Sequence, residues 1–420
     1  MSVIRVRGGN PLYGRVSVQG AKNAVLPILA ASIINGGKSV IHNCPDLTDV
    51  RISVDILEHL GCRTQYENGT LTIDSSEMTE CSIPHELMNR LRSSVIFNGA
   101  LINRMGRSCT SYPGGCNLGH RPIDLHLNAF SKLGIITTEE HGSITCVADS
   151  ITPCRIFLGF PSVGATENIM LSSCRSNGVT RIVNAAREPE IVDLQGFLNS
   201  MGANITGAGT DVIEIRGVSK FHDCEYSVIP DRIVAATYMA AVVVAGGRVE
   251  IANIIPNHIS AFIAVMRECG ASVTVRDNSL VITAPTYIRP VRMINTLPYP
   301  GFPTDAQSLI MTVMSLAKGT SIIRENIFCG RFTHAAELIR MGADIDISDK
   351  MAVIRGVRSL SGCSVKAADL RSGAALVVAA LASDGETEIS NVCYIDRGYQ
   401  DFEKTLSALG ADIERIETVD

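Results

Sequence analysis

The sequence predicts an α/β fold made of six copies of one unit, divided three and three between two domains. Two glycine series and the chain length predict it. Gly61, Gly134, Gly202, Gly270, Gly342 and Gly410 each close a short helical pattern and are separated by 73, 68, 68, 72 and 68 residues. Out of phase with them, Gly37, Gly106, Gly178, Gly247, Gly319 and Gly385 each end a long apolar segment and precede a strand-like run such as Val249-Glu250-Ile251. At 420 residues the chain is too long for one ordinary core.

Taken in order, each unit reads helix, strand, loop, helix, strand and strand. The first helices include Ala24–Ile34, Ile169–Cys174, Val234–Val244, Ser308–Leu316 and Ala374–Ala382. They are too apolar to face solvent and are expected in the middle of a domain. The second helices, such as Ile259–Met266, carry polar faces. Glycine just past a helix is the usual left-handed stop, so both glycine series define the fold rather than the chemistry.

The residues ahead of each helix carry more information, because equivalent positions in a repeat should be alike unless something beyond folding has acted on them. Counting back 14 or 15 residues from the second series reaches Lys22, Arg92, Gly164, Arg232, Asp305 and Arg371. Counting back 11 to 15 from the first series reaches Arg121, Arg187, Arg331 and Arg397. Helix starts carry unpaired N–H groups and partial positive charge, and with Arg or Lys beside them they would bind anions, phosphate above all.

A net charge of −5 argues against a grip on nucleic acid, and no apolar run of membrane-spanning length appears. The amino terminus, Met1-Ser2-Val3-Ile4-Arg5, lacks a signal-peptide layout, so a cytoplasmic location is expected. The 13 cysteines are scattered singly without C-x-x-C or ligand-spaced histidines, so no metal is expected and most are read as buried small apolar residues. Cys116 breaks that pattern. It lies in the glycine-rich loop Pro113-Gly114-Gly115-Cys116-Asn117-Leu118-Gly119-His120-Arg121, where neighbouring positive charge would lower a thiol pKa. Two phosphate-loop readings fail. Gly36-Gly37-Lys38-Ser39 has Ser32 where a Walker motif needs its first glycine, and Gly159–Gly164 does not form G-x-G-x-x-G. No cofactor is expected.

Seven phrases carry a resemblance: Gly20-Ala21-Lys22-Asn23-Ala24, Pro113-Gly114-Gly115-Cys116, Arg121-Pro122-Ile123-Asp124-Leu125, Pro161-Ser162-Val163-Gly164-Ala165-Thr166-Glu167-Asn168, Ala186-Arg187-Glu188-Pro189-Glu190-Ile191, Phe302-Pro303-Thr304-Asp305-Ala306-Gln307 and Tyr394-Ile395-Asp396-Arg397-Gly398-Tyr399. Together, and in this order, they resemble the UDP-N-acetylglucosamine 1-carboxyvinyltransferases. The resemblance implies two inside-out α/β barrel domains of three β-α-β-α-β-β units each, with the active site in the cleft between them. It places residues 21–229 in one domain and residues 1–20 with 230–420 in the other. The implied reaction moves enolpyruvyl from phosphoenolpyruvate to the 3-hydroxyl of UDP-N-acetylglucosamine through a tetrahedral intermediate, releasing phosphate, as a committed step toward bacterial peptidoglycan.

Such chemistry needs an acid, a base and a cationic clamp. By the same resemblance Cys116 is the general acid, able to hold a phosphoenolpyruvate adduct and open to alkylation by fosfomycin, and Asp305 is the base. For Asp305 a helix N-cap is the local alternative. Lys22, Arg121 and Arg397 would clamp phosphoenolpyruvate, with Arg92, Arg331 and Arg371 as further cationic contacts and Asn23 and Asp369 near the reacting centre. For Asn23 and Asp369 the local alternatives are capping and turn formation. Arg92, Arg121, Pro122, Ile123, Asp124, Leu125, Ser162, Val163, Gly164, Asp305 and Ile327 would contact the nucleotide sugar. Phe160 departs from the lysine some members carry there. Glu188 and Asp231 are read as structural, tying the domains, and His120 stands where no fixed residue type is expected. The sister 5-enolpyruvylshikimate-3-phosphate synthases share the fold and donor but lack the Pro-Gly-Gly-Cys loop. A sugar-binding sensor without activity would be expected to lose Cys116, Asp305 or Lys22, all of which are present.

Overall fold

A computed structural model describes residues 2–114 and 123–417. Two compact units divide them. One is built from the chain up to Gln19 together with everything from Pro230 onward, the other from Gly20 to Ile229.

In the Gly20–Ile229 unit the apolar helices Lys22–Ala31, Phe97–Met105 and Val163–Ser173 pack on one another at the centre. No residue of Lys22–Ala31 is exposed, and Ala165 to Ser173 are all buried. Three sheets and the amphipathic helices Thr48–His59, Asp124–Lys132 and Pro189–Ser200 enclose them. The second unit repeats the plan around Arg232–Ala245, Gln307–Ser315 and Leu370–Leu381, with Ser260–Glu268, Ala335–Arg340 and Phe402–Ala408 outside. Helices sit inside and sheets outside because the helices are apolar all round, whereas the strands alternate a buried with an exposed face.

Register shows how the chain is shared out. Strand Leu12–Ser17 runs parallel to Gly247–Ala252, with Val16 opposite Ile251, although the helix following it in sequence, Lys22–Ala31, belongs to the other unit. Strand Cys224–Ser227 runs parallel to Lys38–His42, with Tyr226 opposite Ile41. Ser2–Arg7 lies between Glu386–Ser390 and Asp412–Glu417, antiparallel to both.

All six glycines of the first series are left-handed, with φ from 78° to 105°. In the second series Gly37 and Gly178 are not, and proximity selects glycine there. A Cβ at Gly37 would stand 2.2 Å from the Asp223 carboxylate, and one at Gly178 would stand 2.8 Å from the Pro153 ring. Cysteine burial is also less general than expected. Among the described residues five are buried, five are half-buried, and Cys329 and Cys393 are exposed. Burial pushes the thiols of Cys44, Cys62, Cys174 and Cys269 up to about 12, so these are inert. No described helix is long and apolar enough to cross a membrane, and among the described residues no three His, Cys, Asp or Glu side chains gather to hold a metal ion.

Candidate active site

Each of the six positions reached by counting back from the second glycine series lies at the start of a central helix. Lys22 and Arg232 open theirs, Gly164 and Arg371 are second in theirs, and Arg92 and Asp305 sit in 3-10 turns directly ahead of theirs. A cation at the positive end of a helix opposes the dipole by a few tenths of a kcal/mol or more, so the side chains there need anions. The structure supplies some of them from the protein.

In the Gly20–Ile229 unit the Lys22 ammonium is almost wholly buried and lies 2.7 Å from the Asp49 carboxylate, itself buried in the first turn of Thr48–His59. Sequence reasoning missed Asp49. Its one signal is an acid at the start of a second helix, and that is also ordinary helix chemistry. Asn23 follows Lys22 inside the helix, whose N-cap is Ala21. Arg92 donates to the Pro113 carbonyl at 3.4 Å. Asp124 is exposed at the start of its helix, with Ile123 buried behind it and Leu125 half-buried. Ser162 accepts from the Ala165 N–H, so it caps the helix that begins at Val163. Gly164 faces the buried His126 ring, and a Cβ there would stand 3.0 Å from the imidazole. The His126 ring is held in turn by Asn168 at 2.7 Å. Arg187 is exposed. Cys116, Arg121 and Pro122, with His120, lie outside the described residues.

The second unit holds the densest charge. The Asp305 carboxylate spans two guanidiniums: Arg331 donates to one oxygen at 2.8 Å and Arg371 to the other at 3.1 Å. The N-cap position of Gln307–Ser315 is Ala306, not Asp305. Both arginine side chains are buried, at 4% and 6% exposure, against 26% for Asp305. Burial alone would push the Asp305 carboxyl up, but Arg371, Arg331 and Arg232 outweigh it and hold the group well below the usual carboxylate range. Arg331 is fixed by its Nε, which donates to the Thr304 carbonyl at 3.2 Å, and by the Phe328 ring. Arg371 lies over the Tyr399 ring, whose hydroxyl pairs with Thr237 at 2.8 Å. Arg232 lies over Tyr299. Arg397 is half-buried at the end of the 3-10 turn Val392–Arg397.

Two carboxylates serve as framework. Asp369 accepts from the Arg371 and Ser372 N–H groups and forms a capping box with Ser372, so the local reading of this residue is the one observed. Asp231 caps Arg232–Ala245 in the same way. Glu325 is a residue that sequence reasoning passed over. Buried to 1%, it accepts from the N–H groups of Ile327 and Phe328 and from the Thr304 hydroxyl, and so ties the Ile327 turn to the Asp305 turn. Its sequence context, Arg324-Glu325-Asn326, reads as a solvated strand end, which hid it. Burial pushes the His334 imidazole down, against the opposing pull of the nearby Asp369.

Comparison with known proteins shows the family. The family model described as EPSP synthase (3-phosphoshikimate 1-carboxyvinyltransferase) matches residues 6–406. A protein of Caldanaerobacter subterraneus named UDP-N-acetylglucosamine 1-carboxyvinyltransferase 2 is 49% identical over 99% of this chain and all of its own length. One of the same name from Carboxydothermus hydrogenoformans is 45% identical over 98% of each chain. Among solved structures, the enolpyruvyl transferase NikO from Streptomyces tendae superposes with a TM-score of 0.89 at 26% identity, covering 99% of this chain and 98% of its own. An EPSP synthase from Acinetobacter baumannii superposes at 0.77 with 16% identity, covering 99% of this chain and all of its own, and shows the fold alone. With central helix starts charged as described, and with full-length relatives of this kind, the chain belongs to the EPSP synthase family of enolpyruvyl transferases and, within it, to the UDP-N-acetylglucosamine 1-carboxyvinyltransferases.

Proposed function

We propose that this chain transfers enolpyruvyl from phosphoenolpyruvate to the 3-hydroxyl of UDP-N-acetylglucosamine, releasing phosphate, as a step toward peptidoglycan precursors. The observation that carries the reading is Asp305 between two buried arginines, in a chain nearly half identical along its whole length to proteins named for that reaction. A base beside a cationic clamp is what addition of an alcohol to an enol phosphate requires.

In this reading Cys116 protonates the methylene carbon while Asp305 takes the proton of the attacking hydroxyl. Lys22, Asn23, Arg121, Arg331, Arg371 and Arg397 receive the phosphate and carboxylate of the donor. Asp49 orients Lys22 and supplies a counter-charge at a helix start that would otherwise repel a cation. Arg92, Arg121, Pro122, Ile123, Asp124, Leu125, Ser162, Val163, Gly164, Asp305 and Ile327 receive the nucleotide sugar. Asp124 is placed to accept from an N–H, and Gly164 lets backbone approach a diphosphate. The substrates are small molecules, nucleic acid plays no part, and the reaction proceeds in the cytoplasm.

The sister reading, with a shikimate 3-phosphate acceptor, fits the fold equally but not the Pro113-Gly114-Gly115-Cys116 loop. Phosphate release from phosphoenolpyruvate decides between them. Release with UDP-N-acetylglucosamine alone supports the proposal, release with shikimate 3-phosphate alone replaces the acceptor, and none with either removes the transferase reading.

A further inference from the structure

The two arginines assigned to the donor are already occupied by the group assigned as base. Each oxygen of Asp305 accepts from a different guanidinium. A carboxylate so held is a poor proton acceptor, since protonating it would break a charge-assisted hydrogen bond in a buried setting. The three partners differ in freedom. Arg331 is anchored by the Thr304 carbonyl and Phe328, Arg371 by the Tyr399 ring and by its place in the first turn of Leu370–Leu381. Asp305 sits in a three-residue 3-10 turn and is the most exposed of the three. The surrounding charges, Arg232 on one side and Asp231 and Asp369 at their helix caps, are likewise fixed by local structure. When an anion enters, the carboxylate is the member that can yield.

We infer that Asp305 is a resident counter-ion which the carboxylate or phosphate of the donor displaces from Arg331 and Arg371, so that the base is released only when the donor is bound. The inference rests on the reading of the preceding section. The entering anion supplies the guanidiniums with equivalent partners, which spares the protein two uncompensated buried charges. The freed carboxylate, relieved of both hydrogen bonds, regains the basicity needed to take the acceptor hydroxyl proton: the O–H bond breaks, an Asp305 Oδ–H bond forms, and the hydroxyl oxygen keeps the electron pair with which it adds to the enol carbon. A base silent until the donor is seated would suppress hydroxyl activation in its absence.

The probe is phospholactate, which has the donor's carboxylate and phosphate but no vinyl carbon and so undergoes neither addition nor thiol capture. Its affinity is measured by calorimetry for the wild-type chain and for Asp305→Asn, and the wild-type complex is crystallised. Removing the resident competitor is expected to tighten binding by about tenfold or more, and the complex is expected to show both Asp305 oxygens beyond about 4 Å from either guanidinium, the usual limit of an ion pair. Equal or weaker binding by Asp305→Asn overturns the exchange, and so does survival of both contacts in the complex, which also decides the matter if that variant does not fold. Absence of phospholactate binding to the wild-type chain overturns the donor reading, and the exchange with it.

Discussion

Single residues carry the sharpest chemical expectations. Cys116→Ser is expected to abolish turnover and Cys116→Asp, which restores a proton donor, to retain part of it; a fully active Cys116→Ser rejects Cys116 as the acid. Asp49→Asn removes the carboxylate that lies 2.7 Å from the buried Lys22 ammonium. It is expected to cost about 3 kcal/mol in urea unfolding, the low end for breaking a buried pair, and to raise the donor KM more than it lowers kcat. Unchanged stability together with an unchanged donor KM would remove Asp49 from the site. Lys22 and Asp305 stood out in the sequence because a repeat sets up a comparison in which they depart from the arginine shared by Arg92, Arg232 and Arg371. Asp49 and Glu325 were not, because an acid near a helix start or strand end has an ordinary local explanation and only packing shows what it holds.

At the scale of elements, the central helices show how far burial is tolerated for other ends. Val163–Ser173 buries Glu167 to 2% exposure. Burial first, and then the nearby Glu190 and Glu188, push its carboxyl up to about 8. Between the ordinary glutamate value and about 8 the folded state keeps a proton that the unfolded chain has released. The contribution is therefore present at low pH and lost as pH rises through that window. Relative to Glu167→Gln, the wild-type chain is expected to lose stability from pH 5 to pH 8.5, by an amount of the order of 4 kcal/mol at most. Chemical denaturation at the two pH values reads it, and parallel curves for both proteins would show that Glu167 does not titrate in this range. The existence and order of these helices were plain in the apolar pattern. The chain itself does not show that a glutamate within one of them would face a second acidic pair, because helical spacing says which residues share a face, not what lies opposite.

For the molecule as a whole, the strand pairings make the two units unequal under truncation. Gly20–Ile229 is continuous in sequence and contains its own parallel partner strand, Cys224–Ser227. Expressed alone it is expected to fold and unfold cooperatively. The other unit depends on the amino terminus, since Ser2–Arg7 is an inner strand of one sheet and Leu12–Ser17 closes another. A fragment beginning at Pro230 is expected to be aggregation-prone, and soluble on addition of residues 1–19, because the missing strands leave unpaired edges. Solubility and circular dichroism of the two fragments test this, and a stable, soluble 230–420 fragment would contradict it.

By itself the sequence determined the sixfold unit, the apolar centre of each half, the left-handed stops of the first glycine series and the set of charged helix starts, because each depends on periodicity and on backbone conformation, which are local properties. Tertiary structure alone decided which charge meets which. Arg331 and Arg371 are separated from Asp305 by 26 and 66 residues and join it only when a 3-10 turn, a second turn and the first turn of a helix are folded together. Whether a carboxylate is a cap, a base or a counter-ion depends on the field of such distant neighbours and on the water excluded around them, and neither is written in the residues beside it.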